Sequence, residues 1–144
     1  MKASAIYGEQ NAGKSTACFK LYEMLLKAGG KVIKSQPAVI CNPSQPPKAD
    51  FMVLIAINGK TILITSGGDF GSTVAANIQH AISVQPDYFI FTIRKGTHYV
   101  AAVGHLQNII NNNVKYITLH KAQTQQEQDN NETQIAIQIF NQLL

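Results

Sequence analysis

The sequence predicts an α/β fold, a mostly parallel sheet with helices on both faces and one antiparallel hairpin inside it. Three observations predict it. A short apolar run over 3–7 passes through Gly8-Glu9-Gln10-Asn11-Ala12-Gly13-Lys14-Ser15 into an amphipathic stretch, so strand, glycine loop and helix follow one another. The β-rich runs 51–57 and 61–65 bracket Asn58-Gly59, the favoured two-residue hairpin turn. Beyond the hairpin, helical periodicity and apolar strands alternate as far as residue 119. Parallel crossovers and a three-layer sandwich follow from that order.

Taken along the chain, the helix over 14–28 carries Ala17, Cys18, Leu21, Met24, Leu25 and Ala28 on one stripe, the pattern of a helix facing a sheet. Gly29-Gly30 stops it. A short strand is expected over 31–34. Residues 35–49 hold Pro37, Pro43, Pro46 and Pro47 and read as a loop with a brief strand over 38–40. This loop either lies over a bound ligand or is a solvated connector. Ser-Gly-Gly-Asp over 66–69 leads into a helix over 70–84, and Gln85-Pro86-Asp87 turns into a buried strand over 88–93. The loop 94–97 precedes a helix over 97–111, which Asn111-Asn-Asn113 breaks before a last strand over 115–119. Residues 122–134 read as a polar, low-complexity link. The stretch 135–144 reads as an amphipathic helix that packs on the same domain or docks on another subunit.

Composition narrows the function classes. The 144 residues suit one domain, and a hydrophobic fraction of 45% excludes disorder of the whole. No run approaches the roughly 18 apolar residues of a membrane span. Met-Lys entering a strand at once has no signal-peptide pattern, so a cytoplasmic protein is expected. Cys18 and Cys41 lack metal-type spacing and are expected to be free thiols. The net charge of +4 is uneven, because residues 122–144 hold three acidic residues and no Lys or Arg, leaving 12 basic against 5 acidic residues before them. A basic body of that kind suits polyphosphate. Nucleic acid is the weaker alternative, since no RNA-recognition or helix-turn-helix signature accompanies the charge.

The loop carries the chemistry. It matches G-x-x-x-x-G-K-[ST], the phosphate-binding pattern called Walker A. Gly8 and Gly13 take backbone angles that let the loop curl, so that its N–H groups face an anion at a helix N-terminus. With strand and helix in the required order, residues 3–28 resemble the P-loop NTPase superfamily. The resemblance implies a P-loop NTPase-like three-layer fold, with 1–121 as the nucleotide-binding domain. It also implies a nucleoside triphosphate held by Gly8, Glu9, Gln10, Asn11, Ala12, Gly13, Lys14, Ser15 and Thr16. Lys14 would reach the β/γ-phosphates and the Ser15 hydroxyl would ligate Mg²⁺.

Few other residues are available for phosphoryl chemistry. Of eight carboxylates, three lie in the polar tail and Glu23 sits two turns along the first helix. Asp87 precedes its strand and reads as a turn residue. Asp50 also precedes its strand, but an antiparallel one, which brings it toward the active edge. Asp69 follows strand 61–65 through two glycines and is the first choice for a carboxylate that binds metal or orients the nucleophile. An N-cap of the next helix is its alternative role. A usual Walker B strand ends in Asp, whereas this one ends in Thr65-Ser66. Metal handling would then rest on Ser15, Ser66 and water, with Asp69 beyond them. If strand 61–65 runs parallel to strand 3–7, its end arrives beside the loop. Arg94, the sole arginine, is expected to clamp phosphate with its planar fork, Lys95 being the alternate. His98 and His120 are candidates near the site, while His80 and His105 read as helix-surface or packing residues.

The hairpin resembles that of small GTPases, yet residues 92–98 lack the Asn-Lys-x-Asp loop that reads guanine. ATP is therefore expected ahead of GTP. The expected function is a Mg²⁺–ATP-binding ATPase or a kinase acting on a small-molecule acceptor, with Lys14, Asp69 and Arg94 as catalytic residues. A nucleotide-dependent switch with little turnover is the rival reading. Association with nucleic acid is the third.

Overall fold

The computed structural model describes residues 1–9, 12–36, 50–67, 71–96, 100–111 and 113–144. The expectations placed on Gln10, Asn11, Cys41, Asp69, His98 and the 38–40 strand lie outside those residues. In chain order the elements are β1 (Lys2–Gly8), α1 (Lys14–Lys27), β2 (Lys31–Gln36), β3 (Met52–Ile57) and β4 (Lys60–Thr65). They continue with α2 (Gly71–Val84), β5 (Tyr88–Arg94), α3 (Val100–Ile109), β6 (Val114–Thr118) and α4 (Gln125–Leu143). Among the described residues the strands form one six-stranded mixed sheet in the order β2-β3-β4-β5-β1-β6. β4, β5, β1 and β6 pair in parallel, and β3 runs antiparallel to both neighbours.

Local chemistry explains the hairpin. Asn58 and Gly59 take φ of 52° and 75°, the pair of positive angles that a type I′ turn requires. The register then runs unbroken from Ile57↔Lys60 to Met52↔Thr65. Asp87 holds the same end of the sheet, accepting the Thr61 N–H at 2.8 Å. It is the turn residue the sequence suggests.

Strand alternation divides the core between the two faces of the sheet. Ile6, Ile62, Ile64, Ile90 and Ile117 pack with α1 and α4. Ala5, Leu63, Phe89, Phe91 and Ile93 pack with α2 and α3. Phe89 and Phe91, two residues apart and hence on one face, stack with ring centroids 4.8 Å apart. Burying each such side chain contributes about 1.5–3 kcal/mol, which fixes the sheet whose C-terminal edge carries the glycine loop.

Two expectations need correction. β4 is parallel to β1, but β5 lies between them, so its C-terminal end stands about 10 Å from the loop strand rather than beside it. The polar stretch is also not a link throughout, because α4 begins at Gln125 and not at residue 135. Thr124 caps it, accepting the Glu127 N–H at 3.1 Å. Lys20 of α1 holds the polar turns in place, reaching Asp129 Oδ1 at 2.5 Å and Thr133 Oγ1 at 3.0 Å. Ile135, Ala136, Ile139 and Leu143 carry the same helix into the core.

Candidate functional site

All four parallel strands end at one edge, which gathers the glycine loop, residues 94–96, residues 66–67 and residues 119–124. The loop is braced from both sides. Gly8 O accepts the Lys95 N–H at 2.8 Å, and Tyr7 O accepts the Leu119 N–H at 2.8 Å. A Cβ on Gly8 would lie 2.6 Å from Leu119 O, so glycine is required there by the close approach of the backbone just beyond β6. Gly13 takes φ 96° and precedes α1 with no side-chain cap. Among the described residues, the first N–H groups of α1 therefore have no capping side chain, the condition under which an anion completes a helix N-terminus.

Lys14 is buried, and its Nζ donates to Glu9 O at 2.7 Å and Gly8 O at 3.3 Å. Its ammonium is thus folded over the start of the loop. Ser15 is exposed and Thr16 half-buried at the head of α1. Beside them opens a cleft of about 570 Å³ with Gly13 to Thr16 on one wall, Lys121 to Gln125 on another, and Gln128 and Glu132 of α4 on a third. Glu132 is only 5% exposed. Burial pushes its carboxyl above the usual carboxylate range, against the pull of Gln128 and Lys20. A smaller cleft of about 250 Å³ lies across Gly8, where Tyr7, Glu9, Lys95 and His120 meet, and Lys121 borders both.

The other predicted residues are only partly brought together. Arg94 ends β5 in register with Gly8, so it reaches the loop edge as expected, with Lys95 next to it. Asp50 lies at the same edge against Gly67, where a Cβ would come within 2.6 Å of its Oδ2, but on the far side of β4 from the loop. Ser66 is not a free ligand. Its Oγ accepts the Phe51 N–H at 2.8 Å and closes the base of the β3–β4 pair. His120 borders the smaller cleft, while His80 and His105 ride on α2 and α3. Cys18 is a buried free thiol whose pKa burial raises to about 12, which makes it inert at neutral pH. Thr92, in register with Ile6 two positions before the loop edge, is 1% exposed and its Oγ1 has no partner among the described residues. No group of three His, Cys, Asp or Glu among the described residues is placed to hold a metal ion.

Sequence reasoning missed Gln128 and Glu132 because their stretch reads as polar link. Two signals were available. Thr124-Gln-Gln-Glu127 has the S/T-x-x-E form of a capping box. Positions 128, 132, 136 and 139 also extend the buried stripe of α4 back toward its start.

Comparison with protein-family models, curated proteins and solved structures finds no match for this chain. The class is therefore defined by the geometry alone. It is an α/β protein with a mixed six-stranded sheet and helices on both faces. No helix among its described residues is long and apolar enough to cross a membrane.

Proposed function

We propose that the chain belongs with the P-loop NTPases and binds a nucleoside triphosphate with Mg²⁺, ATP ahead of GTP, at residues 8–16. The observation that carries this reading is the conjunction at the loop. Lys14 is buried and folded over the Gly8 and Glu9 carbonyls, Gly13 is left-handed, and α1 starts without a side-chain cap. On binding, Lys14 exchanges carbonyl oxygens for phosphate oxygens, which are stronger partners for an ammonium. The nucleoside end of the ligand then lies in the cleft toward Lys121 to Gln125.

The residues fit Mg²⁺ in a limited way. This ion takes one or two protein oxygens and completes its shell from phosphates and water, and the Ser15 hydroxyl at the head of α1 is such an oxygen. Bound there, Mg²⁺ would neutralise charge on the β- and γ-phosphates. Arg94, at the loop edge, supplies a planar cation for the outermost phosphate.

ATP hydrolysis or transfer to a small acceptor is the enzymatic form of the reading. A switch with little turnover is the second form, favoured by one observation. β4 ends at Thr65, and Ser66 just after it is tied to Phe51 rather than facing the loop. Titration calorimetry with Mg²⁺–ATP tests the binding claim. Lys14→Ala should weaken affinity by about 100-fold or more, the loss of a strong charge-assisted contact. Unchanged affinity in that variant overturns the assignment. Steady-state phosphate release by the wild type separates the enzyme from the switch.

A further inference from the structure

One side chain in the third wall of the main cleft, Gln128, joins three segments. Gln128 Nε2 donates to the Ala12 carbonyl of the glycine loop and, at 3.3 Å, to Glu132 Oε2 one turn further along α4. Its Oε1 accepts the Ala122 N–H at 3.2 Å. Both amide hydrogens and the amide oxygen are therefore engaged. The partners also define which way the amide faces, since Ala12 O offers only lone pairs and Ala122 N only a hydrogen. Gly13 leaves the space for this contact, because a Cβ there would overlap both Glu132 Oε2 and Gln128 Nε2.

The contact has a directional consequence. In a trans peptide the carbonyl and the next N–H point opposite ways. Fixing the Ala12 carbonyl on α4 thus turns the Gly13 N–H away from α4. An anion nest needs its N–H groups turned inward and its carbonyls outward. An outward carbonyl without a partner would be a buried orphan, since Ala12 is fully buried. Gln128 removes that penalty in one peptide orientation only.

We propose that Gln128 is the positioning residue of the nucleotide site. It holds the Ala12–Gly13 peptide with its N–H available to phosphate, and the same amide fixes the Lys121 to Gln125 wall that faces the nucleoside. Glu132 orients the amide and is itself held by Lys20, whose Nζ is 3.7 Å from Glu132 Oε1. Phosphate and nucleoside recognition are thereby coupled through one side chain. The proposal rests on the nucleotide reading above.

The test compares Mg²⁺–ATP with Mg²⁺–tripolyphosphate, which lacks the nucleoside, by calorimetry on wild type and Gln128→Met. At ordinary net strength, loss of the Ala12 hydrogen bond predicts tripolyphosphate binding weaker by about 5- to 10-fold, and loss of the Ala122 hydrogen bond with it predicts ATP binding weaker by about 30-fold or more. The ATP-to-tripolyphosphate ratio must fall. A side chain that merely docks α4 would lower the unfolding midpoint and leave that ratio alone. ATP affinity within about 2-fold of wild type, or an unchanged ratio, overturns the proposal while the nucleotide reading stands. Failure of wild type to bind either ligand overturns the nucleotide reading instead, and this proposal with it. Should Gln128→Met not fold, ¹⁵N spectra of the wild type decide. Tripolyphosphate is expected to shift the Gly13 amide together with the Gln128 side-chain amide and the Ala122 amide. A Gly13 shift with the other two unmoved overturns the coupling.

Discussion

Replacing Gly13 by alanine probes the backbone of the loop and the packing of α4 against it together, and the two contributions can be measured apart. At φ 96° a β-carbon is strained, at a cost of roughly 1–2 kcal/mol. The same Cβ would overlap Glu132 Oε2 and Gln128 Nε2 and lie 2.9 Å from Glu132 Cδ. Relief requires α4 to move its polar turn, giving up the Gln128–Ala12 hydrogen bond and part of the Lys20 contacts, about 1–2 kcal/mol more. The total is about 2–4 kcal/mol, or a fall in Tm of about 5–15 °C for a chain of this size. Gly29 supplies the control. It has φ 98° with nothing within 4 Å of a built Cβ, so Gly29→Ala reports the backbone strain alone. Urea unfolding of both variants should show Gly13→Ala the more destabilising by about 1–2 kcal/mol, and Glu132→Ala in the Gly13→Ala background should recover part of that difference. Equal effects at Gly13 and Gly29, or a purely additive double variant, would show that α4 does not press on the loop in solution.

Two further outcomes follow from buried polar groups. Glu132 has a folded-state pKa raised above its ordinary value of 4.5, chiefly by burial, so the native state holds its proton more tightly than the unfolded chain. Its stabilising contribution is complete below the ordinary value and is lost as pH rises through the raised one. Glu132→Gln should therefore gain on wild type in urea unfolding as pH climbs from about 4 to 8; a difference that stays flat, or moves the other way, contradicts the shift. Thr92→Val exchanges a buried hydroxyl with no partner among the described residues for a methyl of similar shape and should stabilise the ligand-free protein by about 1 kcal/mol. A loss of 0.5 kcal/mol or more, by the roughly 1 kcal/mol scale of such bonds, would mean that the hydroxyl is satisfied in solution.

Features set by neighbouring residues were legible in the sequence, and those set by distant ones were not. The Asn58-Gly59 hairpin and the strand–loop–helix entry at residues 2–27 follow from local backbone chemistry, and both are found with bounds close to those expected. Asp87 could be assigned to a turn because its position before β5 already decides its end of the sheet. Insertion of β5 between β1 and β4 is decided by which apolar faces bury together, and nothing in either strand alone announces it. Ser66 offered a hydroxyl at a strand tip, yet its partner Phe51 lies 15 residues earlier and engages it fully. At residues 125–134 composition misled. Gln, Asn and Asp look like linker until Lys20, more than a hundred positions away, gives their carboxylates, hydroxyl and helix a reason to be fixed. Gln128 escaped for the same reason, since its role exists only once α4 lies against the loop.

The contact between Gln128 and Ala12 spans 116 positions of the chain, and that separation has a consequence in time. Synthesis proceeds at about 5–20 residues per second, so the glycine loop leaves the peptidyl-transfer site roughly 6–23 s before the side chain that holds its Ala12 carbonyl exists. α1 can form early from local contacts, but β1 waits for its sheet partners β5 and β6, and the loop between β1 and α1 waits further for α4. The bracing of the loop by α4 is therefore a late event in the life of the nascent chain, acquired when the polar turn of α4 settles.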